Sequence, residues 1–209
     1  MKLIKQLEDK KVEMHLAIGE LDEYFVNSKY SIKPHEIIQF TAITNTTKKY
    51  EWLTARELTE QVLKTKAYVY YRKNGSPYLK GKKLNISFSH GFPYVVFAYA
   101  KKGKVGVDVQ EIKSTVLRVK QKFLTDKELT FCGNDEKLLT VFWSAKETLF
   151  KIYQKGKVDF KKHLHVEFID EETLLGKFSK GKAKFIVPLK WFQLKNHIVV
   201  YGQLHNIVQ

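Results

Sequence analysis

Between Val105 and Gln110 every second residue is valine, and the positions between are Gly106, Asp108 and Gln110. A period of two is that of a strand, so one face carries three apolar side chains and the other carries a carboxylate and an amide. Downstream, Leu138, Phe142, Ala145, Leu149 and Ile152 recur at helical spacing and form one apolar stripe. Glu147 and Lys151 lie one turn apart, away from that stripe. A chain holding both patterns is α+β, with a strand and a helix that are anchored on one side and display polar groups from another.

The same periodicities predict further strands at Val12–Ile18, Asn85–His90, Tyr94–Ala100, His163–Ile169, Lys184–Leu189 and His197–Leu204. Helices are expected at His35–Phe40, Lys48–Lys66, Val116–Phe123 and Asp135–Tyr153, with a short turn or helix at Gly19–Phe25 and another helix start at Thr125, where Glu128 three residues later completes a capping box. Lys73-Asn74-Gly75-Ser76-Pro77 reads as a turn, and Lys101-Lys102-Gly103-Lys104 as a hairpin turn into the Asp108 strand. Ala55-Arg56-Glu57 and Ala145-Lys146-Glu147 echo one another ninety residues apart, each shortly after a tryptophan. That echo suggests two similar α+β halves, residues 1–104 and 105–209, with a site at their junction.

The chain carries 37 Lys plus Arg against 22 Asp plus Glu, a formal charge of +15, which favours an anionic partner. Nucleic acid, an acidic protein and a phosphorylated cofactor all satisfy that field; the first is disfavoured because no finger, helix-turn-helix or RNP-like strand is present. The lone Cys132 excludes an internal disulfide and a thiolate cluster. No run of eighteen apolar residues occurs, and the start turns acidic at Glu8-Asp9, so a cytoplasmic protein without membrane association is expected.

The residues also carry a resemblance. Gly106-Val107-Asp108-Val109-Gln110 resembles the Gly-[Ile/Val]-Asp-[Ile/Val]-Glu motif of 4'-phosphopantetheinyl transferases, and Trp143-Ser144-x-Lys146-Glu147-x-x-x-Lys151 resembles their Trp-[Ser/Thr]-x-Lys-Glu-Ala-x-x-Lys motif. Asn85-Ile86-Ser87-Phe88-Ser89-His90, Arg56 and the Gly75-Ser76-Pro77 turn extend the match, which covers about residues 50 to 157.

The resemblance implies two pseudo-symmetric halves, similar to the surfactin-synthetase-activating type, working as a monomer. It implies transfer of 4'-phosphopantetheine from coenzyme A to a serine of an apo acyl, peptidyl or related carrier protein, releasing adenosine 3',5'-bisphosphate. Asp108, Glu147 and Gln110 are then the expected ligands of Mg2+, with Mn2+ as an alternative. Glu147, Lys151 and Asp108 are the expected catalytic groups, and Arg56, Ser76, Ser89, His90, Lys146 and Lys151 the coenzyme contacts. Two residues depart from the pattern: Gln110 stands where a glutamate is common, and Ser76 where a lysine is common. Both keep a second reading open, a noncatalytic coenzyme-A or carrier-binding module of the same fold.

Overall fold

The computed structural model describes residues 1–9, 13–21 and 30–205. Two antiparallel sheets form its centre. The first contains β1 (Lys2–Asp9), β2 (Met14–Glu20), β5 (Asn85–Gly91) and β6 (Tyr94–Ala100), in the order β1-β2-β6-β5. The second contains β7 (Lys104–Glu111), β8 (Leu164–Phe168), β9 (Thr173–Lys180), β10 (Ala183–Leu194) and β11 (His197–Leu204), in the order β7-β11-β10-β9-β8. A small ribbon pairs β3 (Val69–Tyr71) with β4 (Pro77–Leu79).

Alternation along the strands builds four layers. From β2 and β6, Met14, Leu16, Ile18, Tyr94, Val96 and Ala98 face Val105, Val107, Val109 and Val199 of the second sheet, so the sheets pack against each other through an apolar seam. On the far side of the first sheet, Ala17, Val95 and Phe97 meet Ala55 and Leu58 of helix α2 (Thr46–Leu63), which follows the short helix α1 (Ile37–Thr41). On the far side of the second sheet, Leu174, Phe178, Leu189 and Val200 meet Ala145, Leu149 and Ile152 of helix α5 (Glu136–Tyr153). Helices α3 (Thr115–Phe123), α4 (Asp126–Cys132) and α6 (Phe160–His163) complete this outer layer.

The 101–104 turn is not a hairpin, contrary to the expectation from sequence. Strand β6 already has β2 on one edge and β5 on the other, so β7 has no edge of it to join and starts the second sheet instead. The strand expected at Val12–Ile18 runs Met14–Glu20, so Gly19 continues it; Val12 and residues 22–29 lie outside the described residues. Strands β1, β3, β4 and β9 and helix α6 were not expected.

Both long helices are tied down by a buried ion pair with the same local construction. Arg56 on α2 meets Glu36, which caps the 3-10 turn Pro34–Glu36 by accepting from Lys33 N–H. Lys146 on α5 meets Glu128, which caps α4 by accepting from Thr125 N–H. In each case one carboxylate satisfies a helix N-terminus and neutralises a cation that the apolar stripe drags into the interior.

Candidate functional site

Strand β7 is an edge strand of the second sheet and β5 an edge strand of the first, and the two run beside each other without forming a ladder. The outward amides of β7 would lack partners in such a seam. Two alternate serines of β5 supply them: Val107 N–H donates to Ser87 Oγ at 3.2 Å and Val109 N–H to Ser89 Oγ at 3.2 Å.

Asp108 stands between these two amides, 2 % exposed, on the face of β7 that meets α5. Close approach of strand and helix depends on Gly106, where a Cβ would fall 2.4 Å from the Thr148 carbonyl oxygen. Asp108 Oδ1 accepts from Ser89 Oγ at 2.8 Å and from Lys151 Nζ at 2.8 Å, and Oδ2 accepts from Gln110 Nε2 at 3.0 Å. Lys151 also donates to Ser89 Oγ at 2.9 Å and to the Val107 carbonyl at 2.8 Å, so its ammonium is held by both sheets.

Glu147, one turn before Lys151, is half-buried. Burial and the neighbouring Asp108 charge push its pKa up to about 7, against the opposing pull of Lys151. The two carboxylates therefore share one field beside the seam, both on the side of the second sheet. His90 follows Ser89 on β5 and lines the cavities on either side of this group. Its ring opens to solvent, yet the protein packed around the cleft, with the cations Lys151, Lys48 and Arg56, lowers its pKa to about 3. The Asp108 charge opposes that shift without reversing it.

One cavity, about 240 Å³, is lined by Tyr71, Phe88, His90, Phe150, Lys151 and the 74–77 turn. The other, about 530 Å³, is lined by Lys48, His90, Phe92, Gln110, Lys113 and Trp143. Ser76 lies in the wall of the first, with its N–H and hydroxyl both bonded to Asn74 Oδ1. Asn74 in turn donates to the carbonyl of Gln154, the left-handed residue that ends α5, and so closes the rim between the two sheets' layers. Lys155, just past the end of α5, stands on the same rim and was not singled out in the sequence.

Two expected coenzyme contacts sit elsewhere. Lys146 is fully buried and gives its protons to Glu128 Oε2 at 2.7 Å, the Phe123 carbonyl at 2.6 Å and the Phe160 carbonyl at 3.3 Å, leaving no donor for a ligand in this arrangement. Arg56 is 1 % exposed, bonded to Glu36 and Tyr71, with its guanidinium 3.5 Å from the centre of the Trp52 ring. Its charge reaches His90 through the protein, and one of its N–H groups donates to the hydroxyl of Tyr71, a lining residue of the smaller cavity. Trp143 packs edge-on against Phe123, as a wall residue does. Cys132 is buried and its thiol is pushed up to about 12, far from a nucleophile's range.

Residues 104–199 match the model of the 4'-phosphopantetheinyl transferase superfamily. Asp108, Gln110, Glu147 and Lys151 all fall inside the matched segment, whereas Ser89, His90 and the 74–77 turn lie before it. No curated protein matches the chain. The match spans a little under half of the chain and, over that segment, is consistent with an α+β fold and with transferase activity. No helix among the described residues is long and apolar enough to cross a membrane.

Among the described residues no three His, Cys, Asp or Glu side chains gather as a metal site. A cation at the seam would therefore rest on the two carboxylates, Asp108 and Glu147. The residues fit that use: Asp108 raises the pKa of Glu147, and a shared cation would relieve this repulsion. Mg2+ commonly takes only one or two carboxylates and fills its shell with water and phosphate oxygens. Gln110 already donates to Asp108 Oδ2, which leaves its carbonyl oxygen as a neutral third donor.

Proposed function

We propose that this protein transfers the 4'-phosphopantetheine group of coenzyme A to a serine hydroxyl of an apo acyl, peptidyl or related carrier protein. In this reading it is a monomer of two pseudo-symmetric halves, of the surfactin-synthetase-activating type. The observation that carries the proposal is the meeting of Asp108, Glu147 and Lys151 at the seam, between two cavities, within a segment matched to the superfamily. The paired helix anchors Glu36–Arg56 and Glu128–Lys146 support the two-half description.

The reaction must hold a diphosphate, activate a weak nucleophile and stabilise a departing bisphosphate. The smaller cavity, with aromatic walls and the cations Lys151 and Lys155, suits the nucleotide end of coenzyme A. His90, neutral and open to the cleft, offers a hydrogen bond to a phosphate oxygen without adding charge. Lys151, whose three N–H groups are taken by Ser89, the Val107 carbonyl and Asp108, would favour the leaving bisphosphate through its charge rather than through a direct hydrogen bond. The ionised Glu147 carboxylate would accept the proton of the attacking serine, directly or through a water. Mg2+ held by Asp108 and Glu147, with Gln110 beside them, would supply charge neutralisation on the diphosphate. The basic chain, at +15, complements an acidic carrier surface and speeds encounter.

The test is incubation with coenzyme A, Mg2+ and several apo carriers, followed by intact carrier mass and assay of free bisphosphate. Stoichiometric phosphopantetheine addition, abolished by Asp108→Ala and by Glu147→Ala in variants that remain folded, is the expected result. Normal turnover in both variants would reject the assigned roles. Gln110, whose amide engages the free oxygen of Asp108, favours a second reading, a coenzyme-binding module without transfer. Coenzyme binding without any carrier mass change, in Mg2+ and in Mn2+, would select it.

A further inference from the structure

Ser89 has its hydroxyl fully committed. It donates its single proton to Asp108 Oδ1 and accepts from Val109 N–H and from Lys151 Nζ, at 5 % residue exposure. A hydroxyl offers one donor and two acceptor sites, so nothing remains for a substrate. Its neighbour Ser87, two residues back on the same face, makes the equivalent bond to Val107 N–H and no hydrogen bond to Asp108 or Lys151. The two serines thus share a seam function, and Ser89 alone adds a second one.

We infer that Ser89 is a positioning residue: its hydroxyl fixes the Asp108 carboxylate and the Lys151 ammonium against the first sheet, so that the acid and the cation face the diphosphate in one arrangement. This replaces the direct coenzyme contact expected from the motif. Without the hydroxyl, Asp108 keeps only Lys151 and Gln110, both on the second sheet or its helix, and its orientation no longer depends on where the first sheet stands. The group behind a ligating carboxylate holds it in its productive rotamer, and loss of such a partner typically costs about 10 to 100-fold in metal affinity or activity.

The kinetic arm of the test rests on the transfer reaction proposed above, and the binding arm does not. Ser89→Ala, Ser89→Thr and Ser87→Ala are compared by urea unfolding, by Mn2+ binding in the presence of coenzyme A followed by electron paramagnetic resonance, and by transfer kinetics. Both alanine variants should lower the unfolding midpoint, Ser89→Ala the more because it also removes bonds to the buried Asp108 and to Lys151. Only Ser89→Ala should weaken Mn2+ binding, by about 10-fold or more, and lower kcat while KM for coenzyme A stays within about twofold. Ser89→Thr, which keeps the hydroxyl, should restore both; Ser89→Cys replaces the alanine variant if that variant does not fold.

A Ser89→Ala protein with raised KM but unchanged kcat and Mn2+ affinity would overturn the inference in favour of direct coenzyme contact. Equal loss of Mn2+ binding in the Ser87 and Ser89 variants, or a wild type that binds no Mn2+, would overturn it too. If no carrier is modified by the wild type, the transfer reading fails, and the Mn2+ comparison still decides the role of Ser89.

Discussion

Replacing Glu147 by glutamine should stabilise the metal-free protein while destroying its proposed chemistry. Burial and the Asp108 charge raise the Glu147 pKa from its ordinary 4.5 to about 7. The native state therefore holds its proton more tightly than the unfolded chain does. Between those values the folded protein binds more protons, so stability falls as pH rises through the interval and stays low above it. At about 1.36 kcal/mol for each tenfold in proton affinity, the ionised carboxylate costs up to ~3 kcal/mol at pH 8. Glu147 keeps some contact with water, which reduces the measurable part to about 1 to 2 kcal/mol. Glutamine has the same shape and no charge. In EDTA, urea unfolding should show Glu147→Gln more stable than wild type by that amount at pH 8, and nearly equal to it at pH 5, where the wild-type side chain is already protonated. Equal stabilities at both pH values, or a more stable wild type at pH 8, would refute the argument that burial and the Asp108 charge disfavour an ionised Glu147.

Gly106→Ala should cost about 2 kcal/mol or more in thermal or urea unfolding, because its new methyl meets the Thr148 carbonyl at 2.4 Å and Ile152 Cγ1 at 2.8 Å. Gln110→Glu places a third carboxylate beside Asp108 Oδ2 and should tighten Mn2+ binding by about 10-fold; an unchanged titration would show that position 110 does not face the ion. Cys132, buried and displaced to about 12, should resist iodoacetamide at pH 8 in the native state and react at once in urea, and fast native labelling would contradict its placement.

Where local pattern and burial coincide, the sequence was sufficient. Strands β6 and β11 are nearly continuous apolar runs and were bounded at Tyr94–Ala100 and His197–Leu204, as observed. The stripe of α5 and the Thr125–Glu128 capping box needed only neighbours within a few residues. Strand β1 was missed because it is a polar edge strand with an irregularity between Leu3 and Lys5, which breaks its alternation. The 101–104 turn was misread because strand neighbours depend on which edges are free, a property of the whole sheet.

At the site, Asp108, Glu147 and Lys151 were legible as residue types at a strand and a helix, and their meeting was not. Lys146 and Arg56 looked like cations available to a ligand, since a buried partner 18 or 20 residues earlier in the chain leaves no local mark. Ser87 and Ser89 were visible as alternate polar positions. That their acceptors would serve the amides of another strand 20 residues later could be known only once the two edges lay side by side.

A ladder of backbone bonds would have welded these two edges into one rigid sheet. Two hydroxyl rivets, each on a rotatable side chain, instead make a joint with slack, able to absorb a small rocking of one sheet against the other without exposing an amide. Because one rivet also grips the acid and the ammonium, any such rocking is felt first by that pair.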